Sequence, residues 1–217
     1  MAGRLKSLGF VLVLIGIVFV AIGGYTYMKT QDGSKSLLAF SKAQDVKLSY
    51  NDAGELTDHG TTDGAQVIMK RLTDEWGWSV VKSELDPKDP VVNTATEYMF
   101  QMATIATHVL DSTVKVTLTE PADFNGKHYD AGTYDVAIDG RYYSQFDRTD
   151  PLVGPARGLA WTGTALSLIG QLGVGAATAS AIQLGLGVAG LAAGFGGTAL
   201  LIGLGLVWAS RGAVRPE

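Results

Sequence analysis

The sequence predicts an α+β membrane protein with three transmembrane helices, one N-terminal and two forming a C-terminal hairpin. Between them it places a small domain of helices plus an antiparallel hairpin sheet. Three observations carry this. Residues 158–210 are fifty-three in a row without Asp, Glu, Lys, Arg or His, and residues 7–28 form a second uncharged run. A hydrocarbon core about 30 Å thick takes roughly 20 helical residues to cross, so the longer run has the length of two spans and a tight turn. Between the runs, apolar residues recur first at helical spacing and then, after Asp111, at every second position. The resulting plan is a tail at 1–7, a first span at 8–28, a soluble α+β domain at 29–156, spans at 159–179 and 185–209, and a tail at 210–217.

Arg4 and Lys6 stand ahead of the first apolar run. That arrangement also suits a secretory signal, with Ala21 and Gly23 as the small residues of a cleavage site. The run continues to about Met28, longer than a signal core, so a retained span is expected. Tyr25 and Tyr27 then fall where interfacial anchors belong. Gly9, Gly16 and Gly23 recur every seven residues and leave a smooth stripe against which a second helix could pack closely.

In the C-terminal run, Gly163 and Ser167 are four apart, as are Ala189 and Ala193, and Gly190 and Gly194. Small residues at this spacing permit close backbone approach, so a tightly packed helical hairpin is expected, touching the first span as well. Trp161 at the start of the second span and Trp208 at the end of the third would share one interface with Tyr25 and Tyr27. The basic N-terminal tail and the dominance of the first helix place the N-terminus in the cytoplasm and residues 29–156 outside it. Counted alone, Lys29, Lys35, Lys42, Arg148, Arg157, Arg211 and Arg215 on the domain side outnumber Arg4 and Lys6. Long domains are poorly governed by such counts.

Within the middle domain, residues 34–44 read as a helical continuation of the first span. Val46, Leu48 and Tyr50 alternate as a strand ended by Asn51-Asp-Ala-Gly54. A helix opens at Asp63, with Gln66 at the capping-box position and Gly77 as its stop. Thr94 and Glu97 form a second capping box, opening a helix to Leu110. Its wide apolar face needs cover on more than one side. It is read as the central helix of the core, or as a partner or ligand surface formed by Tyr98, Met102, Ile105 and His108. Val114, Val116 and Leu118 then alternate, as do Tyr134, Val136 and Ile138, and Asn125-Gly126 and Asp139-Gly140 are hairpin turns. Asp150-Pro151 and Gly154-Pro155 form a stiff connection onward.

Residues 29–156 carry 12 Lys and Arg against 20 Asp and Glu, a net of −8. That balance excludes nucleic acid, which rewards clustered basic residues. The chain has no cysteine, which removes disulfides, thiolate nucleophiles and Cys-based metal clusters. Gly185-Leu-Gly-Val-Ala-Gly190 matches a dinucleotide fingerprint in letters alone, for no strand precedes it. Two histidines and a carboxylate could form a facial triad, but His59 in a loop, His108 on a helix and His128 in a hairpin show no short ligand spacing. No cofactor and no metal site is expected, and no catalytic residue stands out.

Ser49-Tyr-Asn-Asp52, the stretch 93–103, and Asp130-Ala-Gly-Thr-Tyr134 through Pro155, with the Gly-Gly-Tyr that ends the first span, carry a resemblance over nearly the whole chain. They resemble a family of uncharacterised actinobacterial integral membrane proteins, some labelled as aromatic ring-opening dioxygenases. The resemblance transfers no functional residues, and the iron-ligand pattern of that chemistry is not visible here. The expected function is a non-enzymatic, multi-pass cell-envelope protein whose anchored domain binds or scaffolds a partner: the lipid bilayer, and another membrane or envelope protein or a second copy. The alternatives are a ligand binder or enzyme with a cleft between the 94–110 helix and the sheet, and an accessory subunit of a channel or transporter.

Overall fold

The computed structural model describes residues 2–212, and they form two compact units. One comprises residues 2–40 and 178–212, the other residues 41–177. The element order is α1 (Ala2–Gln44), β1 (Ser49–Tyr50), β2 (Leu56–Thr57), α2 (Thr62–Lys70), α3 (Ala95–Leu110), β3 (Thr113–Leu118), β4 (Ala122–Phe124), β5 (Lys127–Tyr129), β6 (Gly132–Ala137), α4 (Val153–Ala160) and α5 (Gly163–Gly212). The chain is therefore α+β, with two long apolar helices flanking a small domain that holds antiparallel strands.

The expected C-terminal hairpin does not form. Residues 163–212 are one continuous helix of 50 residues, so a third long apolar helix is absent among the described residues. The reason lies in the local sequence. Ser180-Ala-Ile-Gln-Leu184, at the place of the expected turn, contains neither proline nor a turn dipeptide. None of the glycines in this helix takes a positive φ. In apolar surroundings a glycine costs less than an unmade backbone hydrogen bond, so the helical ladder continues through it. The helix α1 is likewise unbroken over 43 residues, and residues 34–44 do continue it. The expected tail at 1–7 is helical from Ala2, and that at 210–217 begins inside α5, its last five residues lying outside those described.

In the first unit α1 and α5 lie antiparallel and touch through glycine. A Cβ placed on Gly9 would meet the Gly203 carbonyl oxygen at 2.7 Å, and one on Gly203 would meet the Gly9 oxygen at 2.7 Å. Gly16 and Gly196 are related in the same way, at 2.7 and 2.8 Å, and Gly23 faces Ala189 and Ala193. Farther along, Gly185 faces Thr30, and Phe19 meets Phe195 edge-on at 4.9 Å between ring centres. Gly9, Gly16 and Gly23 of α1 and Gly203, Gly196 and Ala189 of α5, both at a seven-residue period, thus bring the backbones close together.

The second unit is built around α3. Its Thr94 N-cap is reciprocal, for the Thr94 hydroxyl accepts from Glu97 N while Glu97 accepts from Thr94 N at 2.9 Å. Ala106, Val109 and Leu110 pack with Val116, Val136, Ile138, Phe146, Ala156, Ala160 and Trp161 as one apolar core. The strands β3 and β6 pair antiparallel from Thr113 opposite Ala137 to Leu118 opposite Gly132, and β4–β5 forms a hairpin at Asn125-Gly126, both at positive φ. The first turns of α5 belong to this unit: Ala165 and Ile169 pack on the core, Gly173 lies beside Met102, and Gly175 lies against the Tyr98 ring. Much of the apolar run assigned to a second span is therefore part of the domain. The domain unit accordingly runs from 41 to 177, in place of the expected 29–156. The Asp150-Pro151 connection opens α4, with the Asp150 carboxylate accepting from Leu152 N and Val153 N.

Candidate functional site

The most chemically distinctive cluster sits where α2 packs on α3. Asp58 and Thr61 exchange two backbone hydrogen bonds, of 2.9 and 3.0 Å, closing a two-residue loop. Its central residues His59 and Gly60 have φ of +48 and +77, the geometry of a type I′ hairpin turn. Histidine tolerates that left-handed conformation better than most side chains do. Thr61 then caps α2, accepting from Gly64 N, so the cap lies two residues before the expected helix start at Asp63. Gly64 has to be small, because a Cβ there would lie 2.9 Å from the Asp58 carbonyl oxygen.

This turn stands against the last turn of α3, which presents His108. His108 Nε2 lies 3.0 and 2.9 Å from the two Asp58 carboxylate oxygens. His59 Nε2 is 4.0 Å from Asp58 Oδ2, and the two imidazole rings are 4.6 Å apart, tilted by 36°. One ligand atom from each of Asp58, His59 and His108 lies within 4.8 Å of the other two. The Asp58 side chain is only 16% exposed, whereas that of His59 is 78% exposed. A cleft of about 360 Å³ opens here, lined also by Val67, Thr107 and Asp111. Thr107 Oγ1 is buried without a hydrogen-bond partner among the described residues. Asp111 is held by Arg71 Nη2 at 3.4 Å.

The expectation that the three histidines lie apart is thus corrected for two of them. A turn and a helix end separated by about fifty residues meet because α2 folds back along α3, and no spacing within the sequence encodes that. His128 is separate, bonded through Nδ1 to Asp123 at 2.6 Å on an exposed hairpin. This contact raises the His128 pKa, through the Asp123 hydrogen bond first and its charge second.

The surface expected from Tyr98, Met102, Ile105 and His108 is not a surface. Tyr98 is buried, its hydroxyl 2.7 Å from Ser41 Oγ, Met102 and Ile105 are half-buried, and only His108 is exposed. The start of α5 covers that face. The side of α3 toward the sheet carries core residues, and a cleft opens at the α2 turn.

Of the small residues singled out, Gly9, Gly16 and Gly23 face α5. A Cβ placed on Gly163, Gly190 or Gly194 would meet nothing within 4 Å among the described residues. Ser167 lies near the start of α5, its hydroxyl 3.4 Å from Gln171 Nε2. Tyr25 and Tyr27 are exposed on α1, and Trp208 is 78% exposed near the end of α5. Trp161 is only 5% exposed and donates to the Arg141 carbonyl at 3.0 Å while stacking on Tyr142. It is a core residue of the domain and not an interfacial anchor, because α5 begins two residues after it.

A further buried group is Glu97. Its carboxylate accepts from Asn93 N, Thr94 N and the Thr94 hydroxyl. Burial nevertheless raises its pKa, outweighing these donors. Burial likewise pushes the Tyr50 phenol up to about 12, helped by the charges of Glu97 and Asp86. Compared with protein-family models, curated proteins and solved structures, the chain matches none.

Proposed function

We propose that this chain is a two-span membrane protein, with both termini in the cytoplasm and its acidic α+β domain on the extracytoplasmic face. There the domain acts as a non-enzymatic module that binds or scaffolds an envelope or membrane partner. The observation that carries the reading is the distribution of charge along the antiparallel helix pair. Because Gly9 lies opposite Gly203 and Val207, Arg211 falls at the same end as Arg4 and Lys6. Arg215, outside the described residues, follows Arg211 in sequence. Arg211 and Arg215, which opposed the orientation in a three-span plan, now count with Arg4 and Lys6, and the chain leaves and re-enters the pair at the other end.

Burial and aromatic placement support a lipid environment for the pair. Its helices are long and apolar enough to cross a bilayer, yet little of their most apolar stretches is buried within the protein. Leu14, Leu191 and Leu201 are largely exposed, at 64, 77 and 74%. So much uncovered aliphatic surface is stable in hydrocarbon and unfavourable in water. Trp208 lies near Gly9 in level, and Tyr27 stands eighteen residues farther along α1, roughly 27 Å at 1.5 Å per residue. Aromatic residues at both levels suit the two interfaces of one bilayer.

The absence of cysteine makes the test clean. In intact cells, an impermeant maleimide is expected to label Asp130→Cys and to spare Lys6→Cys until the membrane is permeabilised. The reverse pattern would overturn the orientation, and equal labelling of both before permeabilisation would overturn the spanning topology.

A further inference from the structure

We propose that Asp58, His59 and His108 bind a divalent transition cation of the zinc class. The residue types are the first argument. Two neutral imidazoles and a carboxylate are the ligands such an ion prefers, and three protein ligands leave positions open for water or a further ligand. The chain has only three histidines. Two of them converge on a single carboxylate from a turn and from a helix end.

Geometry is the second argument. Ligands about 2.0–2.2 Å from a common tetrahedral ion lie roughly 3.3 Å from one another. His108 Nε2 and Asp58 Oδ2 are already 2.9 Å apart. His59 Nε2 is 4.0 Å from the same oxygen, and its ligand atom lies within 4.8 Å of that of His108, so it has about 1 to 1.5 Å to close. Its exposed side chain is free to make that movement, while the backbone beneath it is fixed by the two turn hydrogen bonds and by Thr61 capping α2.

The surroundings are the third. Asp58 is mostly buried, so its carboxylate is held in place and gains from a cation beside it. Thr107 is among the residues that line the same cleft, and its buried hydroxyl has no hydrogen-bond partner among the described residues. A plain His108–Asp58 ion pair does not account for the His59 ring placed beside it. An ion pair would also survive loss of His59, which gives the proposal its decisive variant.

The full chain, purified in detergent and stripped with chelator, is titrated with Zn²⁺ against a chromogenic zinc indicator, and with Co²⁺ by visible absorption. One Zn²⁺ per chain is expected, with a Kd of about 10 μM or tighter. Binding is expected to weaken as pH falls, because a protonated imidazole cannot ligate. His59→Gln, and His59→Asn, whose side chain the positive φ of this turn tolerates, change an exposed residue, and with the fold checked by circular dichroism each is expected to lower affinity about ten- to hundredfold. His108→Gln and Asp58→Asn are expected to do at least as much, and His128→Gln nothing. The Co²⁺ d–d absorption is expected to shift in His59→Gln. Absence of stoichiometric binding, or affinity unchanged in His59→Gln, overturns the proposal and leaves the His108–Asp58 ion pair as the whole content of the site.

Discussion

Replacing Gly16 by alanine tests the helix pair most sharply. The added Cβ would lie 2.6 Å from Leu200 Cγ, 2.7 Å from the Gly196 carbonyl oxygen and 2.8 Å from Leu200 N. An ordinary contact is at least 3.4 Å, so the backbones must part by about 0.7 Å. The nearest polar atoms are main chain and cannot rotate away. The contacts on either side, Gly9 with Gly203 and Gly23 with Ala193, resist a local separation. Overpacking of this kind costs about 1–3 kcal/mol, against a helix-propensity gain of up to about 1 kcal/mol for alanine over glycine. With the full propensity gain, a net loss of up to about 2 kcal/mol follows. Gly194→Ala has no such neighbours among the described residues and is expected to be neutral or to gain up to about 1 kcal/mol. The two variants are compared by SDS-induced unfolding in mixed micelles, with spin labels at Lys6→Cys and Arg211→Cys reporting separation of one end of the pair. Equal effects, or a larger loss from Gly194→Ala, would refute the glycine contact. The second outcome would return the packing to a hairpin through Gly163, Ser167, Gly190 and Gly194.

Two further outcomes are expected in the domain. Because the folded-state pKa of Glu97 is raised, its contribution to stability is full below the unfolded-state value of 4.5 and declines as pH rises toward the folded value. Glu97→Gln is expected to flatten that slope in thermal unfolding between pH 4 and 7 while keeping the cap. Glu97→Ala is expected to destabilise at every pH, by about 1–3 kcal/mol for each backbone donor it strands. The pKa of His128 is also raised, so its contact with Asp123 stabilises the hairpin fully below 6.5 and is lost as pH rises through the elevated value. An NMR titration is expected to show the His128 midpoint moving down in Asp123→Asn, and an unchanged midpoint would remove Asp123 as the cause.

What can be read from the chain and what cannot divide along physical lines. Thr94 and Glu97, the period change at Asp111, and Asn125-Gly126 are local signals, since a cap, a strand period and a turn each depend on a few consecutive residues. The glycine period in α1 is legible for the same reason, although the residues that meet it, Gly203, Gly196, Ala189 and Ala193, are not. Counting uncharged residues fails for α5, because apolar composition reports removal from water and does not distinguish lipid from protein. Residues 163–177 are apolar because α3 needs a cover, and that requirement is set by Tyr98 and Met102, more than sixty residues earlier. Trp161 misleads in the same way, for a tryptophan beside an apolar run suits a bilayer interface or a core equally well. The meeting of His59 with His108 is invisible in the sequence because it depends on how α2 lies along α3.

The matched glycine periods of α1 and α5 also fix the axial register of the pair. A slip of one or two residues would set Leu or Val side chains against a carbonyl now touched only by a Cα. With the same two faces kept in contact, the next arrangement that sets glycine against glycine lies seven residues away, roughly 10 Å of travel at 1.5 Å per residue. In one direction it pairs Gly16 with Gly203 and Gly23 with Gly196 and leaves Gly9 against Ser210. The two rods are thereby notched against sliding, and any signal carried along them has to pass by rotation or separation.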